Sequence, residues 1–182
     1  MGLLLSDKYI DFMEHVIMGR SQADFLEGTT YSGKTTVGAY AFMLKVMDSD
    51  SPKASLIAGL DIGTVEKNII NAELGILDMF THAEYFGSGT GQVRIPHLRL
   101  KTPKEDKIVY IAGYDDKKRW KKILGGQVYA TFIDEINIAD MDFVREATMR
   151  SDYIMATLNP DNPDLEVYKE YINRSRPLQE YA

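Results

Sequence analysis

Gly28-Thr29-Thr30-Tyr31-Ser32-Gly33-Lys34-Thr35 match G-x-x-x-x-G-K-[ST] at every fixed position. Glycines at such positions allow turns that aim successive backbone N–H groups at one anion. A helix starting at the end of the turn adds its free N–H groups and the positive end of its dipole. Lys34 supplies a point charge for the β- and γ-phosphates, and the Thr35 hydroxyl is a hard oxygen suited to Mg²⁺. With Thr36, residues 28–36 are therefore expected to cradle the triphosphate of ATP with Mg²⁺. A Gly-Ser-Thr turn could match the pattern by coincidence. Against that stand an extended segment before it and a long helical pattern after it, as the chemistry requires.

A second group of residues could complete that chemistry. Val128-Tyr129-Ala130-Thr131-Phe132-Ile133 reads as a buried strand that delivers Asp134 and Glu135 to its C-terminal end, where open α/β sheets bind ligands. Asp134 is expected to hold Mg²⁺ through a water, and Glu135 to polarise the attacking water as general base. An acidic turn after an apolar strand is common; the phosphate cradle upstream gives this one its meaning. A kinase transferring to a hydroxyl can do without the glutamate, whereas ATP-driven motors and helicases usually carry it. Further on, Ala156-Thr157-Leu158-Asn159-Pro160 closes another apolar segment. Thr157 and Asn159 are placed to sense the γ-phosphate and move the chain beyond Pro160. The bland reading of Asn-Pro is a turn opener.

The elements that must position these residues follow from periodicity. Residues 7–18 place Ile10, Met13 and Ile17 at helical spacing after Ser6 as N-cap; residues 21–27 read as a short strand. Residues 34–47 repeat Val37, Tyr40, Ala41, Leu44 and Met47 with helical period, and Ser51-Pro52 breaks the pattern. Residues 54–60 form a strand, and 64–80 a single helix with Thr64 as N-cap and Ile69, Ile70, Leu74 and Leu77 turned inward. Residues 92–100 and 106–112 read as strands of a hairpin around Pro103, with a turn-rich loop at 87–91. Helices are expected at 142–149 and 165–172, and a strand at 153–158. Strands alternating with helices predict an α/β fold, a three-layer sandwich around a mostly parallel central sheet.

Bulk properties bound the alternatives. One domain is expected from 182 residues, with 45% hydrophobic and 26% charged content. There is no cysteine, hence no disulfide framework and no thiolate zinc site. No apolar run approaches the roughly 20 residues that span a bilayer, so no membrane partner is expected. Residues 1–5 are apolar but too short, and lack the basic flank, for a signal peptide. A net charge of −6 excludes a uniformly basic surface but not a local basic patch such as residues 117–122. His15, His82 and His97 show no ligand spacing, and the nine methionines suit core filling.

Together the segment 28–36, the Ile133-Asp134-Glu135 end and Thr157 to Pro160 resemble the ATPase domain of the large terminase subunit of tailed bacteriophages. The stretch from Gly113 through Gly125 is similar to that family as well. The resemblance covers about residues 20–172. It implies a P-loop NTPase fold of the ASCE type, with an extra strand between the P-loop and Walker B strands. It further implies an ATPase packaging double-stranded DNA into a procapsid, in a homo-oligomeric ring commonly of five subunits. The portal protein and small terminase subunit would be its partners, and the bacterial host cytoplasm its place. A nuclease domain follows in that family and does not fit after residue 172, so a single ATPase domain without nuclease activity is expected. Many members carry an arginine inside the P-loop, where this chain has Tyr31. An arginine finger would then come from elsewhere, a neighbouring subunit included, with Arg119 the first candidate and Arg145 and Arg150 others. The basic run around Arg119 is otherwise a solvated loop or a contact to DNA phosphates. Adenine recognition is expected near residues 20–22. Two readings compete: another nucleic-acid-dependent ATPase such as a helicase, and a module that binds nucleotide with little turnover.

Overall fold

The computed structural model describes residues 5–91 and 93–175. In chain order it contains α1 (Asp7–Ile17), β1 (Ala23–Glu27), α2 (Lys34–Asp48), β2 (Ser55–Gly59), α3 (Ile62–Val65), a π-helical turn (Glu66–Ile70) and α4 (Ile76–Met79). Then come β3 (Ala83–Phe86), β4 (His97–Leu100), β5 (Lys107–Gly113), α5 (Lys117–Ile123), β6 (Val128–Ile133), α6 (Met141–Arg150), β7 (Ser151–Leu158) and α7 (Glu166–Glu170). The sheet order is β1-β7-β6-β2-β5-β4-β3. The first five strands in that order run parallel, and β4 and β3 close the sheet antiparallel. β7 is thus the strand inserted between β1 and β6.

Strand side chains alternate between two apolar layers, as the pleat requires. Ile57, Ala130, Phe132, Tyr153 and Met155 face one layer, with Phe12 and Val16 of α1 and Val37, Phe42 and Val46 of α2. Leu56, Ala58, Ile133, Ile154, Ala156 and Leu158 face the other, with Trp120 of α5, Phe143 of α6 and Val167 of α7. Helices on both faces make the sandwich three-layered. Gly38 lets α2 settle on β6: a Cβ there would come within 3.0 Å of the Phe132 ring. No helix among the described residues is long and apolar enough to cross a membrane.

Several elements differ from the sequence reading. In α1, Ile10 and Ile17 are exposed; the inward stripe is Tyr9, Phe12, Met13 and Val16, joined by Leu5 just before the helix. The expected helix over 64–80 is broken. Asp61, not Thr64, is the N-cap: its Oδ1 accepts from the Thr64 backbone N–H at 2.7 Å. Helical turns continue as a π-turn that buries Ile69 and Ile70, and the chain then leaves the helix, with Leu74 at φ 60°. β3, four residues at the sheet edge, has no counterpart in the sequence reading. The strand expected at 92–100 is shorter, and Gln92 lies outside the described residues. Residues 117–122 form a helix rather than a loop because Trp120, Ile123 and Leu124 are buried beneath it. The expected last helix at 165–172 is α7, followed by a single 3-10 turn.

Candidate nucleotide site

Parallel pairing brings the motifs to one edge of the sheet. Glu27 pairs with Leu158 and Ile133 with Ala156, so the residues that follow β1, β6 and β7 emerge side by side. After β1 the chain turns through the glycine loop. The Gly28 N–H donates to the Leu158 carbonyl at 3.2 Å, and the Ser32 N–H to the Thr29 carbonyl at 3.2 Å. Gly33, at φ 80°, is the N-cap of α2, a left-handed conformation that favours glycine. Nothing lies within 4 Å of a Cβ built there, so the constraint is on the backbone. Tyr31 also has positive φ, and its side chain is fully exposed.

The functional side chains form one hydrogen-bonded cluster. Lys34 is 7% exposed, and its Nζ donates to the Thr29 carbonyl at 3.1 Å and to Asn159 Oδ1 at 2.7 Å. Asp134 is buried beside Thr35 and Thr157, and its Oδ1 accepts from Thr35 Oγ1 at 2.9 Å and Thr157 Oγ1 at 2.7 Å. Thr157 Oγ1 in turn accepts from the Glu135 N–H at 3.0 Å. Glu135 sits at φ 53°, a turn that redirects the chain as it leaves β6. Its Oε1 accepts from Asn159 Nδ2 at 3.3 Å. Asn159 therefore holds the Lys34 ammonium with its carbonyl and the Glu135 carboxylate with its amide.

The donor set fits one Mg²⁺ completed by phosphate oxygens. A hydroxyl and a carboxylate, Thr35 and Asp134, meet at 2.9 Å. The described residues hold no group of three or more His, Asp or Glu that would make an all-protein cage. Mg²⁺ takes one or two carboxylates and draws other ligands from substrate and water.

An outer ring of residues, outside the sequence reading of the site, braces the cluster. Tyr114 is buried under β6, with its hydroxyl 3.4 Å from the Asp134 carbonyl. Burial first, then the charges of Glu135 and Asp134, push its phenol above the ordinary tyrosine range, so it stays neutral. Asn137 Oδ1 accepts from the Asn159 N–H at 3.4 Å, and its Nδ2 donates to Asp161 at 2.9 Å. The Tyr168 hydroxyl lies 3.2 Å from the Asn159 carbonyl and 3.3 Å from Glu27 Oε1, and accepts from the Asp161 N–H at 3.0 Å. Tyr9 of α1 donates to the Ser32 carbonyl at 2.6 Å, tying that helix to the glycine loop. Only Tyr114 carries a signal in the sequence, its place in the Gly113–Gly125 stretch.

No family model matches the sequence, and no curated protein does. Solved structures do match the fold. The large terminase of a thermophilic bacteriophage superposes with a TM-score of 0.79 at 19% identity, over 94% of this chain and 43% of the terminase chain. The same terminase in complex with ATP-gamma-S gives 0.76, also at 19% identity and over 94% of this chain and 42% of that one. Its ADP complex gives 0.77 at 19% identity, again over 94% of this chain and 42% of that one.

The fold is that of part of a large terminase.

This chain spans less than half the length of those terminase chains. Of the residues that the terminase resemblance implicates, Lys34, Thr35, Asp134, Glu135, Thr157 and Asn159 come together. Thr29 contributes its carbonyl, Thr30 and Ser32 are exposed on the loop, and Thr36 is half-buried in the first turn of α2. Arg119 stands apart from this cluster: its Nε is 3.7 Å from Asp116, and its charge is felt at Tyr85. Arg145 pairs with Glu166 and Glu170, and Arg150 with Glu146. Residues 20–22 lie just before β1, the strand whose far end leads into the glycine loop.

Proposed function

We propose that the chain is an Mg²⁺-dependent ATPase, and that it is the motor domain of a phage large terminase that drives double-stranded DNA into a procapsid. The observation that carries this is the single cluster joining Lys34, Thr35, Asp134, Glu135, Thr157 and Asn159 at the C-terminal edge of the parallel sheet. The thermophilic phage terminase, solved with ATP-gamma-S and with ADP, has the same fold and supports the reading.

The residues divide the work as follows. Backbone N–H groups of residues 28–35 bind the β- and γ-phosphates at the start of α2. Lys34 exchanges the Asn159 amide oxygen for a γ-phosphate oxygen, a stronger charged acceptor. Mg²⁺ held beside Thr35 and Asp134 would neutralise charge on the phosphates. Thr157 keeps the Asp134 carboxylate oriented and fixes the Glu135 backbone. Glu135, released from Asn159, orients and deprotonates the attacking water. Asn159 thereby senses the γ-phosphate at the head of the segment that leads through Pro160 to α7.

In this reading the protein works in the bacterial host cytoplasm as a homo-oligomeric ring at the procapsid, with portal protein and small terminase subunit as partners. A neighbouring subunit's arginine, Arg119 the first candidate, completes the transition-state charge. The test is phosphate release with and without linear duplex DNA, together with displacement of a third strand annealed to that duplex. Duplex-stimulated turnover with strand displacement is expected. Turnover indifferent to duplex, with no displacement, would leave an ATPase that is not a DNA motor.

A further inference from the structure

One side of α5 carries cations that the fold leaves unpaired. Trp120, Ile123 and Leu124 turn inward, which places Lys118 and Lys122, one turn apart, on the exposed side. Lys117 pairs with Asp142 at 2.8 Å and Arg119 leans on Asp116, whereas exposed Lys121 has no ion pair among the described residues. Lys118 and Lys122 have no carboxylate within ion-pair distance among the described residues, and neither does exposed Arg94. Lys122 and Arg94 flank a half-open groove of about 270 Å³, floored by Val93, Ile95, Tyr110 and Ile123.

We propose that Lys118, Lys122 and Arg94 form a contact surface for the phosphate backbone of duplex DNA. The proposal rests on the motor reading above and assigns the DNA a place on this chain. The chain is acidic overall, at −6, so three adjacent uncompensated cations make a local field of opposite sign. Lysine and arginine are donors without acceptors, and a lysine ammonium binds phosphate as a point charge. Such a row holds a strand by its phosphates and supplies none of the mixed donor and acceptor pattern that reads base edges. Sequence-independent contact is what a protein moving along DNA requires. The groove between Lys122 and Arg94 lies open beside these charges.

The test compares the wild-type chain with the triple variant Arg94→Gln/Lys118→Gln/Lys122→Gln, by fluorescence anisotropy of a labelled duplex over a salt series. Each lost phosphate contact is expected to lower the slope of log affinity against log salt by about 1, so the slope falls by about 3 and affinity drops at least about tenfold at moderate salt. Lys53→Gln/Lys101→Gln/Lys104→Gln makes the same charge change elsewhere and is expected to bind like wild type. A triple variant with wild-type slope and affinity overturns this surface while leaving the motor reading intact. Equal loss in the control variant overturns it too, by attributing binding to net charge. A wild-type chain that turns over ATP but binds no duplex overturns both. Should the triple variant melt early, Lys122→Gln alone carries the test, with an expected slope change of about 1.

Discussion

Lys34 Nζ donates to Asn159 Oδ1 at 2.7 Å, joining the glycine loop to the end of β7 across 125 residues. In the proposed ATPase, Asn159 Oδ1 takes the acceptor position that a phosphate oxygen would fill. Replacing it with a carboxylate would convert a neutral partner into a competing anion, and would also set a like charge beside Glu135. Asn159→Asp is therefore expected to raise the KM for ATP and lower kcat together. A steady-state titration showing wild-type KM would mean that Lys34 does not exchange partners on binding.

Lys34→Ala removes the cluster's ammonium and strands two acceptors, the Thr29 carbonyl and Asn159 Oδ1. Truncating one partner of a buried charged contact costs about 2 kcal/mol or more. Affinity for ATP-gamma-S should fall at least about thirty-fold by calorimetry. Unchanged affinity would place the phosphates elsewhere.

Thr157→Val keeps the shape of the side chain but deletes the donor to Asp134 Oδ1 and the acceptor for the Glu135 N–H, both in a buried position. Asp134 Oδ1 keeps Thr35 as a donor, but the Glu135 N–H is left unpaired, at a cost of about 1–3 kcal/mol. The urea midpoint should drop accordingly, and the Mg²⁺ concentration for half-maximal turnover should rise. Thr157→Ser should restore both.

Tyr168→Phe would disconnect α7 from Asn159, Glu27 and Asp161 while leaving every phosphate contact in place. Turnover is expected to fall with nucleotide affinity retained. A fall in affinity equal to the fall in kcat would give Tyr168 a binding role instead.

Alkaline pH should unfold the protein early. Burial is the largest cause lifting the Tyr153, Tyr114 and Tyr129 phenols above their ordinary value of 10.0 in the folded chain. A group raised on folding contributes fully below its unfolded pKa and loses that contribution as pH rises toward its folded one. Lys45, lowered chiefly by desolvation, has the opposite sign, but it is one group against these three and the Tyr85 and Tyr168 phenols, which burial raises as well. Urea midpoints should hold from neutrality to about pH 10 and then decline. A midpoint unchanged at about pH 11 would mean that these phenols are not shielded in the native state.

The sequence carries the site better than it carries the scaffold. The β6 bounds, Val128–Ile133, coincide with those read from the apolar run. β7 begins two residues before its apolar run, since Ser151 and Asp152 extend the strand without being buried in the core. Residues 64–80 have helix-compatible composition, yet the helical turns end at Ile70, with Ile69 and Ile70 buried, and Leu74 stands at φ 60° before α4. Of the α1 residues read at helical spacing, Met13 packs inward while Ile10 and Ile17 are exposed; Tyr9 packs inward in their place and tethers the glycine loop. Thr157 reads as a phosphate sensor in the sequence, whereas its hydroxyl is committed to Asp134 and Glu135. That pairing arises from the lateral register of β6 and β7, which no local pattern encodes. Tyr168 and Asn137 leave no trace in the sequence, since each acts through a loop contact with a distant strand end.

The most direct measurement is phosphate release under saturating Mg²⁺–ATP by the wild type and by Glu135→Gln, with ATP-gamma-S affinity measured on both. Removing a positioned general base costs about a hundredfold or more in rate. Glu135→Gln should bind nucleotide like wild type and release phosphate at least about a hundredfold more slowly. Equal release by the two proteins would contradict the assignment of Glu135, and absence of nucleotide binding in both would contradict the site itself.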